Sequence, residues 1–243
     1  MSAKILKSRA IVRIAPRTPD EDVAAFLQGL VTNDVSGELP VYAALLSAQG
    51  KAMFDFFVWA GASGELLLDC EAQAADDLAK RLSLYRLRRE IDIARSDDLA
   101  VYWSASQFDG GVPDPRLPEL GFRAVAPASE AASGDDLYLS HRLDQGVAEG
   151  REELGDVLWL ETNAVELNGV SFEKGCYIGQ ENTARMNWRQ KVNRRLVVVP
   201  IAASDEKRRK TAYPDIGKAV DHLRVADLDP AALPDWQAAG ITQ

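Results

Sequence analysis

Residues 172–195, FEKGCYIGQENTARMNWRQKVNRR, set Cys176 between Gly175 and Gly179 and surround it with six basic side chains. A thiol acts as nucleophile or metal ligand only as the thiolate, and nearby cations such as Lys174 and Arg185 favour that form where they lie close. Glycines let the backbone turn sharply or approach a ligand. The stretch 182–204 carries Arg185, Arg189, Lys191, Arg194 and Arg195 and no acidic residue, in a chain with 37 acidic and 28 basic side chains. It is therefore a seat for an anion. By itself the segment specifies an anion beside a cysteine that is either reactive or, as lone cysteines more often are, buried. His141 and Asp144, three apart on an expected helix, would complete a nucleophile, base and acid with Cys176. Any chain with two histidines offers such pairings, so the spacing does not by itself specify a Cys–His hydrolase.

Composition excludes several classes around that segment. Only Cys70 and Cys176 occur, with no CxxC, so neither a disulfide framework nor a four-thiolate metal site can form within one chain. An iron–sulfur or zinc centre would need ligands from elsewhere. The net charge of −9 opposes general affinity for nucleic acid, and direct nucleic-acid binding is not expected. No run approaches the ~20 apolar residues of a membrane span. Lys4, Lys7, Arg9 and Arg13 interrupt the N-terminal apolar residues, which is unlike a secretory h-region, and the expected location is the cytoplasm. GxGxxG and GxxxxGK[ST] are both absent.

The elements that must position Cys176 are legible in outline. Thr18-Pro19-Asp20-Glu21 reads as a capping box opening a helix through Val23, Phe26, Leu27 and Leu30. VYAALLS (41–47), AMFDFFVWA (52–60) and ELLLDC (65–70) read as strands joined by the hairpin connections AQGK and GASG. Helical spacing returns over 71–89, and strands are expected at 90–94, 99–105 and 196–202, with a helix at 136–146 ending at Gly146. Residues 106–135, rich in proline and glycine, read as a mobile excursion or lobe boundary. Hairpins interleaved with helices favour α+β over a parallel sheet.

KGCYIGQE followed by Thr183-Ala184-Arg185 resembles the signature K-G-C-[YF]-x-G-Q-E-x-x-A-R of the YgfZ/CAF17 family of folate-binding proteins, relatives of the aminomethyltransferase (T-protein) of the glycine cleavage system. FLQGLVTNDV (26–35), LLSAQGKAMFDFFVW (45–59), HRLDQGVAEG (141–150), ETNAVELNGVSFEKGC (161–176) and GKAVDHLRV (217–225) are similar to further family segments, so the resemblance covers most of the chain. It implies a T-protein-like α+β fold of antiparallel sheets with flanking helices: a folate-binding core over 1–195, its two lobes meeting near 105–135, and a reduced C-terminal β-barrel over 196–243. It also implies tetrahydrofolate as cofactor and a role in assembling or repairing iron–sulfur clusters, with assembly proteins or [4Fe–4S] client enzymes as partners. Through those enzymes it reaches tRNA modification.

Residue by residue, Lys174, Gly175, Cys176, Tyr177, Gly179, Gln180, Glu181 and Arg185 match the signature, and Cys176 is the expected reactive thiol. Asp144 matches a carboxylate that pairs with the pterin ring, and Arg185, Arg189, Arg194 and Arg195 are expected at the folate's glutamate tail. T-proteins place an Asp in the strand after the glycine turn; here Phe54 falls at the closest-matching position and Asp55 one later, so Asp55 is expected on the opposite face. That speaks against true aminomethyltransferase activity, which stays as the alternative function, with Asp55 as the carboxylate it would need.

Overall fold

A computed structural model describes residues 3–189 and 192–241 of the chain. Its largest sheet joins β2 (Arg9–Pro16), β3 (Val41–Leu46), β4 (Ala52–Ala60), β5 (Leu66–Glu71) and β6 (Ile91–Ser96) in the order β3-β4-β5-β2-β6. All its pairings are antiparallel. Alternation along each strand gives the sheet two different faces. Ala10, Val12 and Ile14 of β2, Phe54, Phe56 and Val58 of β4, and Leu66, Leu68 and Cys70 of β5 form the first. They pack against α1 (Val23–Gln28) and α2 (Ala75–Ser83). The second face carries Ile11, Tyr42, Phe57 and Leu67, which meet Val101, Trp103, Tyr138 and Trp159.

Trp103 lies on β7 (Leu99–Ser104), in a four-stranded sheet ordered β1-β7-β9-β8 with β1 (Lys4–Ile5), β8 (Val112–Pro113) and β9 (Phe122–Pro127). Tyr138 comes from α3 (Asp135–Asp144), which is followed by the short α4 (Arg151–Leu154). The signature ends in α5 (Gln180–Arg189), and the chain closes with β10 (Arg194–Pro200), β11 (Arg209–Tyr213), β12 (Lys218–Arg224) and α6 (Asp235–Ile241). The architecture is α+β with antiparallel sheets and few helices, as expected. Among the described residues the C-terminal strands form an open three-stranded sheet, β10-β12-β11, and no closed barrel.

Several boundaries differ from the sequence expectation. The first helix is capped by Asp22, whose carboxylate accepts from the Ala25 N–H, and not by Thr18. The second helix stops at Ser83 instead of running to 89. Residues 106–135 are not loop throughout: they contain β8 and β9, and β9 pairs with β7 along its whole length. β2, the strand between β5 and β6, does not read as a strand in the sequence because Arg9 and Arg13 mask an otherwise apolar run.

Candidate functional site

Cys176 is exposed on the irregular segment before α5, and its neighbours in the signature fix that segment from beneath. The buried Lys174 ammonium donates to the carbonyls of Gln28 at 2.5 Å and Val31 at 2.6 Å, just past the end of α1. Burial lowers its pKa to about 8. It also lies 4.9 Å from the ring centroid of Tyr177, which is itself buried.

Gly179 adopts φ +82°, and a Cβ there would sit 2.6 Å from the Ser47 carbonyl oxygen and 3.1 Å from the Gly50 Cα. Two glycines from distant motifs thus bring the signature loop and the β3–β4 turn into backbone contact. Asn182 adds a donor to the Gln49 carbonyl at 2.9 Å. Gly175, Cys176, Glu181 and Arg185 face outward, the last two joined by a 3.0 Å pair on α5. Half-buried Gln180 opens that helix, its N–H donating to the Tyr177 carbonyl. Trp188, 74% exposed, stands edge-on to Phe172 beside this face. The other thiol is unsuited to chemistry: Cys70 is buried in the sheet, and burial pushes its pKa to about 12.

A second polar assembly lies between the two large sheets. Arg9 meets Asp69 at 2.6 Å, Arg123 bridges Asp69 at 2.8 Å and Asp114 at 2.9 Å, and Arg116 bridges Asp114 at 2.8 Å and Glu149 at 2.6 Å. Tyr138 also donates to Glu149, at 2.5 Å. The Arg123 guanidinium stacks 4.1 Å from the centroid of Phe57. Burial alone would push Glu149 up, but Arg9, Arg116 and Arg123 hold it well below the usual carboxylate range. Sequence reasoning missed Asp114, Arg116 and Arg123 because they sit in the segment that reads as a loop; buried arginines look like surface residues until their partners are known.

Three guanidiniums thus face three carboxylates, and Asp55 is a fourth. Burial, with Glu149 adding to it, raises its pKa from 3.8 to about 6. Its carboxylate accepts from Tyr42 Oη at 3.1 Å and the Gly150 N–H at 3.4 Å. Here the sequence expectation is corrected: Asp55 points to the interior and Phe54 to the helix side. The cause is a bulge. Leu45 pairs with Phe54 but Leu46 pairs with Ala52, so Met53 is an extra residue that shifts the phase of β4 by one.

Beside this assembly opens a cavity of about 200 Å³ lined by Arg9, Glu71, Tyr138, Arg142, Glu149 and Tyr213, among others. Arg142 grips Glu153 with two bonds of 2.8 and 2.7 Å, while its buried Nε–H has no partner. Asp144 is not in this cavity; at the end of α3 it pairs with Lys218 at the surface. Nor do the arginines converge there. Arg185 and Arg194 lie elsewhere, Arg195 is buried against Glu166 at 2.7 Å, and the side chain of Arg189 is outside the described residues. His141 contacts the Glu119 carbonyl through Nε2 at 2.7 Å, so no Cys–His–Asp constellation forms. Among the described residues no cluster of metal-ligating side chains occurs and no helix is long and apolar enough to cross a membrane.

The layered antiparallel sheets are those of the glycine-cleavage aminomethyltransferase fold. The chain matches the crystal structure of glycine cleavage system aminomethyltransferase T from Bartonella henselae with a TM-score of 0.65, covering 91% of this chain and 78% of that one, at 12% identity. At that identity the likeness is one of fold alone. No protein-family model matches.

In sequence the chain is similar to the mitochondrial iron–sulfur cluster assembly factor IBA57. It is 34% identical to the Homo sapiens protein over 236 residues, 80% of this chain and 65% of that protein. It is 32% identical to the Mus musculus protein over 239 residues, 81% and 65%, and 34% identical to the Pyricularia oryzae homolog over 219 residues, 79% and 55%. The chain thus spans between about half and two thirds of the length of these curated relatives. They fit the YgfZ/CAF17 resemblance broadly. Their mitochondrial location overturns the cytoplasmic expectation, which rested on excluding a secretory signal and excluded no organelle.

Proposed function

We propose that this chain is an iron–sulfur cluster assembly factor that offers the Cys176 thiolate to a cluster in transit or to the protein carrying it. The observation that carries this is the exposure of Cys176 on a loop whose other side is clamped by Lys174 and Gly179, in a chain similar to IBA57 assembly factors. Thiolate is the ligand that iron–sulfur clusters take, and a typical cluster takes four. One exposed thiol cannot hold a cluster alone, so the partner supplies the remaining ligands. That makes assembly proteins or [4Fe–4S] client enzymes the partners. In cells lacking the gene, [4Fe–4S] dehydratase activity should fall; wild type and Cys70→Ala should restore it and Cys176→Ala should not. Full restoration by Cys176→Ala would remove the thiol role.

Tetrahydrofolate, the cofactor that the resemblance implies, fits the central cavity through its pterin end. At about 200 Å³ the cavity lies below the ~300–1,000 Å³ of sites for drug-sized ligands. The unpartnered Arg142 Nε–H suits the pterin carbonyl, and the half-buried Glu71 carboxylate suits its two N–H donors. When bound, the group supplies one-carbon or redox chemistry. Exposed Asp136 and Glu152 at the same cavity oppose an anionic tail, so monoglutamyl tetrahydrofolate should bind at least as tightly as polyglutamyl forms in calorimetric titration, and Glu71→Gln should weaken it. A one-carbon transferase is the alternative, favoured by the inward-facing Asp55. Absence of aminomethyl or methylene transfer to tetrahydrofolate by the wild-type protein would dispose of it.

A further inference from the structure

We propose that a groove between α1 and the turn after α2 docks an acidic, leucine-bearing segment of a partner protein. The groove encloses about 610 Å³; Ala25, Phe26 and Leu30 form one wall and Tyr85, Leu87 and Arg88 the other. Leu84 is 63% exposed and Leu87 87%. Scattered surface leucines need no explanation, but Leu87 is held at φ +50°, a left-handed conformation that a leucine side chain disfavours. The turn is tied down on its far side. Arg89 Nε reaches Glu21 at 2.5 Å, the Glu90 N–H donates to the same carboxylate at 2.9 Å, and Arg86 donates to the Ile91 carbonyl at 3.3 Å. The fold therefore fixes Leu87 outward over an apolar concavity.

Charge selects the occupant. Residues 78–89 carry Lys80, Arg81, Arg86, Arg88 and Arg89 without one acidic residue, in a chain of net charge −9. Glu21 pairs only with Arg89 of these. A segment with carboxylates flanking an aliphatic anchor meets both features, with the anchor against Leu30 and Leu87 and the carboxylates at the arginines. A concave apolar lining accepts side chains inserted into it, which favours a protein segment over a lipid surface. The groove also adjoins the signature loop, because Leu30 lies between Gln28 and Val31, whose carbonyls accept from the Lys174 ammonium. A partner seated here is thus placed next to the element carrying Cys176. That link rests on the proposed function; the docking does not.

The test is fluorescence anisotropy on the full chain with a labelled amphipathic peptide bearing glutamate and leucine at helical spacing, its lysine-for-glutamate twin, and phosphatidylcholine vesicles containing phosphatidylglycerol. The acidic peptide should bind, with affinity falling about tenfold or more in Arg88→Glu and in Leu87→Asn and falling as salt rises. Asparagine tolerates a positive φ, so Leu87→Asn keeps the fold. Unchanged affinity in both variants, equal binding of the lysine twin, or binding of vesicles in place of the peptide would overturn the proposal. Cys176→Ala should leave peptide affinity unchanged. A loss there would overturn the groove as a separate surface, whereas full restoration of cluster enzymes by Cys176→Ala counts against the proposed function alone.

Discussion

Lys174 and Cys176 stand two positions apart and do opposite work. The lysine turns inward to satisfy two backbone carbonyls, one at the last residue of α1 and one just beyond it, and the cysteine faces solvent. Lys174→Met should therefore cost roughly 1–3 kcal/mol by leaving buried carbonyls unpaired, measurable as a lowered denaturant midpoint. Cys176→Ala, at an exposed site, should leave that midpoint within about 0.5 kcal/mol of wild type. The residue types of this segment were legible in the sequence as a resemblance. Which side chains act on the outside and which hold the loop in place was not, because a basic residue beside a cysteine reads equally as activator or as anchor. Asp144 illustrates the same limit: its match to a pterin-binding carboxylate lies in the sequence, while its pairing with Lys218 depends on a strand 74 positions away.

The unit that presents Cys176 is built from two elements, the signature loop and the β3–β4 turn, which meet at Gly179 and Gly50. Gly179→Ala would force a Cβ against the Ser47 carbonyl oxygen and strain a positive φ, so a loss of roughly 1–3 kcal/mol is expected. Hydrogen exchange should speed up over 172–182 before it does in the large sheet. If protection of that segment is unchanged, the two glycines do not set the loop's position. Short apolar runs rich in aromatic and β-branched residues, bounded by turn residues, make β3, β4 and β5 readable from sequence, and β4 spans the expected residues 52–60. The bulge at Met53 was not readable, since a single extra residue leaves no mark on composition yet reverses which of Phe54 and Asp55 faces inward. Nor was β9, whose Arg123 looks like a solvent-facing residue until Asp69 and Asp114 are brought to it.

Across the whole molecule, the interior between the large sheets holds one more carboxylate than guanidinium among Arg9, Arg116, Arg123, Asp69, Asp114, Glu149 and Asp55. Buried networks of this kind are poor evidence for stability, and their surplus member should be destabilising when charged. The rise of the Asp55 pKa from 3.8 to about 6 means that the folded state binds more protons than the unfolded one between those values. Asp55 therefore favours the fold at low pH, and that contribution is lost as pH rises from about 4 to about 6, at most roughly 3 kcal/mol. Asp55→Asn should raise the melting temperature at pH 7 and flatten its dependence on pH in that window; a variant that melts lower at pH 7 would show that the charged carboxylate is accommodated. The acidic total read at the outset described the surface and gave no hint of this internal imbalance. The fold class was legible because it follows from hairpin and helix periodicities; the charge network was not, because its members come from β2, β4, β5, β9 and the segments around them.

The exposed thiol as a cluster ligand is tested most directly by exchange with a glutathione-ligated [2Fe–2S] cluster, followed by visible absorption and circular dichroism. The Cys176 thiolate should replace one glutathione thiolate, giving the same spectral change in wild type and Cys70→Ala and none in Cys176→Ala. An equal change in Cys176→Ala, or none in the wild-type protein, would contradict the role assigned to this loop.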